Sequence, residues 1–272
     1  VQNKKVYSFI LINFLITWGC WLAVIFLLES SLSEASPEFV IYGLGGLLGP
    51  VVAAVISQRF YGSKVEFRQF LTELVKVKVN IRWYIFVLIV PLLLGIFPFL
   101  IDSLFTGKIQ MRFDQPYYAV LLMLPMMILG GGLEEVGWRG VLLPEFLKKF
   151  TPFTATLLLS VIWAVWHVPL WFISGTAQHG SNFGLFFVSV MGTAIVLSAL
   201  YIRTKSIWMC ILLHALFNAN SAFFASSGGL HAWNETVSVI VKLVVCIGLF
   251  MVLLKGRVAT IRVSGGVSNA RH

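Results

Sequence analysis

Apolar residues run along this chain in long blocks separated by short polar stretches, without the strict alternation that marks a strand. The blocks lie at roughly 7–28, 39–60, 83–101, 117–143, 153–173, 183–203, 207–225 and 236–254. Each is long enough to cross a hydrocarbon core of roughly 30 Å as a helix. The strands of a membrane barrel would be shorter and would alternate. The pattern predicts an all-α, polytopic membrane protein with about eight transmembrane helices. No connection is long enough to fold separately, so residues 1–260 read as one domain, and the Gly/Ser-containing stretch 261–272 reads as a disordered tail.

Composition agrees with a bilayer as the solvent: 58% of residues are hydrophobic, 11% are charged, and the mean hydropathy is +0.90. The net charge of +9 does not point to nucleic acid. Nucleic-acid binding needs basic residues gathered on one face with aromatics among them, whereas here they lie between apolar blocks. Cys20, Cys210 and Cys246 all fall within apolar blocks and suggest neither a disulfide framework nor a zinc knuckle. The first block follows Lys4 and Lys5, as in a signal peptide. It exceeds the usual apolar core of one and lacks a clear small-residue cleavage site, so it reads as a permanent first helix.

Basic residues are distributed unequally between the two sets of connections. One side collects Lys4, Lys5, Arg59, Lys64, Arg68, Lys76, Lys78, Arg82, Lys148, Lys149, Arg203, Lys205, Lys255, Arg257, Arg262 and Arg271, and the other only Lys108 and Arg112. The positive-inside rule then places both termini in the cytosol. Within 61–82, basic residues interleave with Val65, Phe67, Phe70, Leu71, Leu74 and Val75. This fits either an amphipathic helix on the anionic inner leaflet or a solvated loop with a short helix. Gly45 and Gly49 form a small-xxx-small pair suited to helix packing.

A charged side chain in the middle of a membrane helix costs about 2.5–3.5 kcal/mol by insertion scales, so it tends to face a cavity and to have a function. Lys242 is excepted, since near an outer helix end it can snorkel to the headgroups. The fourth block contains Gly130-Gly131-Gly132-Leu133-Glu134-Glu135-Val136-Gly137-Trp138-Arg139-Gly140. Glu135 and Arg139, four apart, share a helix face and can pair. Glu134 lies about 100° from Glu135 around the wheel and is left without a local partner, as suits an acid used for proton transfer. The plainer reading is that both acids lock helices together through Arg139. Three glycines before them weaken the helix and permit close backbone approach, which favours a cavity.

The fifth block places Trp163 and His167 on one face, with Pro169 expected to free the carbonyl of Val165 beside the histidine. The seventh places His214 and Asn218 on one face. Each pair alone would be an ordinary interhelical contact. Together the three blocks supply a general base, a water-orienting group and oxyanion donors. By residue count from the basic ends, Glu134 and His214 lie roughly 12–14 Å deep and His167 nearer 20 Å.

These residues resemble the CPBP family, which groups type II CAAX prenyl endopeptidases with bacteriocin self-immunity proteins. Its pattern is Glu-Glu-x-x-x-Arg, then Phe-x-x-x-His, then His-x-x-x-Asn. Glu134, Glu135 and Arg139 match the first motif, Trp163 and His167 the second with tryptophan in place of phenylalanine, and His214 and Asn218 the third. The resemblance extends over roughly 121–220, and the local strings look like the prokaryotic branch. It implies an intramembrane endopeptidase of a prokaryotic cytoplasmic membrane, with a site opening to the cytosolic side. In that reading Glu134 and His167 activate water, His214 and Asn218 hold the oxyanion, and Glu135 with Arg139 brace the site. The substrate would be a membrane-associated or lipid-anchored protein or peptide, and prenylation is not the expected chemistry of most such hosts. Glu134, His167 and His214 could alternatively ligate Zn2+ with a position open for water, but a glutamate mechanism without a required cofactor is favoured.

The zinc-motif, serine and two-aspartate intramembrane protease chemistries lack their residues. There is no His-Glu-x-x-His and no Gly-x-Ser-Gly, and Asp102 and Asp114 fall in or beside a connection. The competing classes are a non-catalytic immunity or scaffold protein that binds a peptide in the same cavity and, less favoured, a proton-coupled transporter. The latter would be expected to show an inverted repeat, and none is evident.

Overall fold

The structure, a computed structural model, describes residues 2–28, 32, 36–107, 115–225 and 232–255. Its helices are α1 (Gln2–Leu27), α2 (Pro37–Tyr61), α3 (Lys64–Leu74) and α4 (Ile81–Thr106). They continue with α5 (Ala119–Leu129), α6 (Gly132–Leu147), α7 (Pro152–Trp166), α8 (Phe183–Thr204), α9 (Ile207–Ala225) and α10 (Ala232–Leu254). No β-sheet occurs among the described residues. Seven helices are long and apolar enough to cross a membrane, and α5 with α6 makes an eighth if that bent pair is one span. The tail 261–272 lies outside the described residues.

Polar residues mark where helices begin. The side chains of Ser36, Asn80, Thr151 and Asn182 accept from backbone amides at the starts of α2, α4, α7 and α8, and proline follows directly at Pro37 and Pro152. Such caps satisfy amides that have no carbonyl partner within the helix.

The fourth apolar block departs from the straight span 117–143 expected. It breaks at Gly130–Gly131, bends by 41°, and continues to Leu147. Beyond the break α6 is irregular: a 3-10 turn at Gly132–Glu134, then a π turn at Trp138–Leu142. The side-chain amide of Gln58 donates to the Gly140 carbonyl within the π turn at 2.8 Å.

Gly45 and Gly49 allow α1 and α2 to touch closely, as small residues in membrane helices do. A Cβ on Gly45 would stand 2.7 Å from the Cys20 Cβ, and one on Gly49 would collide with the Thr17 hydroxyl and Asn13. Thr17 Oγ1 instead donates to the Gly45 carbonyl at 2.9 Å.

The 61–82 connection forms the short helix α3, opened by a capping box between Ser63 and Glu66. Phe70 is buried over Gly140, whereas Val65 and Leu71 are exposed. Lys5, expected simply as a cytosolic charge, is buried. Its Nζ stands 2.9 Å from Glu145 and 3.2 Å from Glu66, and Lys148 reaches the same two carboxylates at 2.8 and 2.9 Å. This four-membered cluster joins the ends of α1, α3 and α6.

Two measurements test this packing. Gly49→Leu should lower stability by about 1–3 kcal/mol through overpacking, read as a lower unfolding midpoint in detergent. Gly43→Ala, where a Cβ meets nothing within 4 Å, should leave it unchanged. The Lys148 ammonium, with the Ser63 amide and Lys5 helping against partial burial, lowers the Glu66 carboxyl from 4.5 to about 2. The resulting stabilisation is complete above about pH 4.5 and lost as pH falls through about 2. Lys148→Met should move that loss upward, visible in unfolding midpoints measured against pH.

Candidate active site

A carboxylate brought into the interior of a helical bundle needs donors, and Glu134 obtains them from two indoles. Its Oε2 accepts from Trp163 Nε1 at 2.8 Å and from Trp138 Nε1 at 3.2 Å. The expectation of a Glu134 without a local partner is thus corrected: no cation pairs with it, but Trp138, four residues on, donates from its own helix. Glu134 ends the 3-10 turn that follows the glycine break and lines a cavity of about 820 Å³. No hydrogen bond to its second oxygen occurs among the described residues, so Oε1 is left for a water or a substrate.

Glu135 points the other way. Arg139 Nη1 lies 3.0 Å from its Oε1 and 2.8 Å from its Oε2, and the two side chains are fully buried, as the four-residue spacing suggested. Arg139 also donates to the Ala194 carbonyl at 3.3 Å and stands 5.0 Å from the centre of the Trp163 ring. Glu135 Oε1 takes a further bond at 2.9 Å from His214 Nδ1, so α9 is tied to α6 by the same acid that neutralises Arg139.

The imidazoles are oriented by different acceptors. His214 Nδ1 faces a carboxylate, which as an ionised acceptor requires the proton on Nδ1. His167 Nδ1 lies 2.8 Å from the backbone carbonyl of Trp163, and a carbonyl too can only accept. In both rings Nε2 is therefore the atom left for the cavity. The local backbone explains the second bond. Pro169 lies in the 3-10 turn Val168–Phe172, and the His167 amide turns to Ala164 at 3.2 Å, leaving the Trp163 carbonyl to the imidazole. Trp163, four residues before the histidine, thus supplies the carbonyl that orients it. Three residues on, the carbonyl of Trp166 accepts from Trp18 Nε1 at 2.9 Å.

The seven residues singled out from the sequence meet in one place. Glu134, Trp163, His167, His214 and Asn218 line the cavity, and Glu135 and Arg139 lie behind it. A Cβ on Gly131 would collide with Asn218 Nδ2 and stand 3.5 Å from His214 Nε2, so the glycine break leaves room for these two groups side by side. Trp163 has the widest reach: its indole N–H holds Glu134, its carbonyl holds His167, and its ring packs edge-on to His214 with centroids 5.3 Å apart. A phenylalanine could not make the first of these contacts. Trp138 was overlooked in the sequence, although its spacing from Glu134 was a usable signal.

Three expectations change. Lys242 lines the cavity, where snorkelling to headgroups was expected. The cavity reaches Ala177 and Gln178 after α7, Tyr42 near the start of α2 and Phe186 near the start of α8. That is the end of the bundle opposite the basic connections, so cavity and positive charge do not share a side as supposed. Finally, among the described residues no three His, Cys, Asp or Glu side chains converge to hold a metal ion, so Glu134, His167 and His214 do not form a ligand set in this arrangement.

Residues 116–220, the stretch carrying all seven site residues, match the family model described as type II CAAX prenyl endopeptidase Rce1-like. The curated CAAX prenyl protease 2 of Methanococcus maripaludis is 25% identical over 239 residues, 82% of this chain and 85% of that relative. From α5 through α9 the chain is thus similar to the Rce1-like type II CAAX prenyl endopeptidases.

Proposed function

We propose that this protein is an intramembrane endopeptidase in which Glu134 and His167 activate the attacking water. The observation that carries this reading is the division of labour among hydrogen bonds around one cavity. Glu134 has one oxygen held by two indoles and the other open, and His167 has its Nδ1 proton committed to a carbonyl. His167 Nε2 then carries a lone pair and accepts a hydrogen bond from one O–H of the water, while Glu134 Oε1 takes the proton of the other O–H as the resulting hydroxide attacks the scissile carbonyl. Asn218 Nδ2 donates to the resulting oxyanion. His214, its Nδ1 held by Glu135, joins it when its Nε2 carries a proton to donate. The proton held by Glu134 passes to the departing amine.

The substrate class proposed is a membrane-associated or lipid-anchored protein cut in CAAX-like fashion, which the printed name of the archaeal relative supports. Aromatic and aliphatic side chains make up much of the cavity wall, including Trp21, Leu94, Leu170 and Phe217. The route needs no metal, and peptidase activity should persist in a chelator.

Quenched peptides, prenylated and unprenylated, incubated with purified protein test this. Glu134→Gln should lower kcat by about 10²–10⁴-fold while retaining peptide binding. Cleavage surviving that change would sink the hydrolytic reading, and binding without turnover by the unaltered protein would favour the immunity or scaffold class. Asn218→Ala should cost about 10²–10³-fold in kcat with little change in KM. Trp163→Phe keeps the carbonyl that orients His167 but removes one donor from Glu134. It should lower kcat and shift the acid limb of its pH profile, which a purely structural loss would not do.

A further inference from the structure

The charges of this molecule and its cavity occupy opposite ends. Among the described residues every lysine and arginine except Arg139 and Lys242 lies at the end where α1, α4, α7 and α9 begin and α2, α6, α8 and α10 finish. That end is closed. Between it and the cavity lie the fully buried Trp138, Leu142, Leu143 and Ile207, the Lys5–Glu145 pair, and Glu73 accepting from the Tyr201 hydroxyl at 2.7 Å. Glu134 is thirteen residues from the end of α6 at Leu147, and His167 fifteen beyond the start of α7 at Pro152, about 20 Å along each helix. His214 is seven residues into α9, about 10 Å. The cavity extends from these groups away from the basic end, reaching Gln178 and the exposed Ala177.

A membrane retains lysine and arginine on its cytosolic side. We propose that the cavity of this protein opens away from the cytosol, so that a membrane-associated or lipid-anchored peptide reaches it from the outer face of the membrane. The occupant fitting this placement is an exported or externally supplied peptide with apolar side chains, entering from the outer interface. Its being a peptide rests on the hydrolytic reading above; the sidedness does not.

Single-cysteine reporters in intact cells test the sidedness without reference to cleavage. Ala177→Cys marks the cavity mouth and Lys78→Cys the exposed basic end, and the full chain is treated with a membrane-impermeant maleimide. Mapping the modified peptide by mass spectrometry lets Cys20, Cys210 and Cys246 remain. Labelling of Ala177→Cys in intact cells, with Lys78→Cys labelled only after permeabilisation, is the expected result. The reverse pattern overturns the proposal, as does labelling of both positions in intact cells. Failure to label Ala177→Cys even after permeabilisation also overturns it, because the mouth would then be closed to water. A protein with the expected labelling that cleaves no peptide would leave the sidedness standing and count against the peptidase reading alone.

Discussion

Two adjacent carboxylates inside a bilayer are tolerable only if each is supplied with donors, and the fold of the site follows from how that demand is met. Glu135 is neutralised by Arg139 on its own helix, then shared with His214 on α9. Glu134 receives no cation and is held by two indole N–H groups, one from α6 and one from α7. The acid with a counter-ion becomes structural, and the acid with neutral donors keeps an oxygen free. The same requirement draws α6, α7 and α9 together, because none of them alone satisfies its polar groups.

The two imidazoles illustrate how an acceptor chosen at one nitrogen decides what the other can do. A backbone carbonyl behind His167 fixes the tautomer and contributes no net charge. A carboxylate behind His214 fixes the same tautomer and links the ring through Glu135 to Arg139. The two rings thus turn the same nitrogen to the cavity, and what distinguishes them comes from atoms outside it.

Much of this was legible in the sequence where the interaction is local. The spans follow from apolar runs, and the Glu135–Arg139 pair follows from four-residue spacing. The singling out of Glu134 follows from its place on the helical wheel, although its bond to Trp138 was equally local and was missed. What depends on contacts between helices was not legible. No periodicity reveals that Trp163 would serve Glu134 and His167 at once, that Lys5 would be buried against Glu145, or that Glu135 would recruit His214. Three consecutive glycines announced a weak helix, but the bend at Gly130–Gly131 was not anticipated, because a glycine run permits a break without requiring one. The extent of the cavity was also unreadable, since it depends on how α2, α4, α8 and α10 stand around the motif-bearing helices.

The π turn at Trp138–Leu142 has a consequence of its own. Such a turn holds one more residue than a regular one, so it stores a rotation of about 100° in the helix that follows it. Glu134 and Glu135 sit upstream of this widened turn and Glu145 downstream. A relative lacking one residue here would keep the upper motif yet present a different face to Lys5. The spacing between the Glu134–Glu135 pair and the Lys5–Glu145 contact is thus set by an insertion, and comparing lengths of this segment among relatives would trace where the two became coupled.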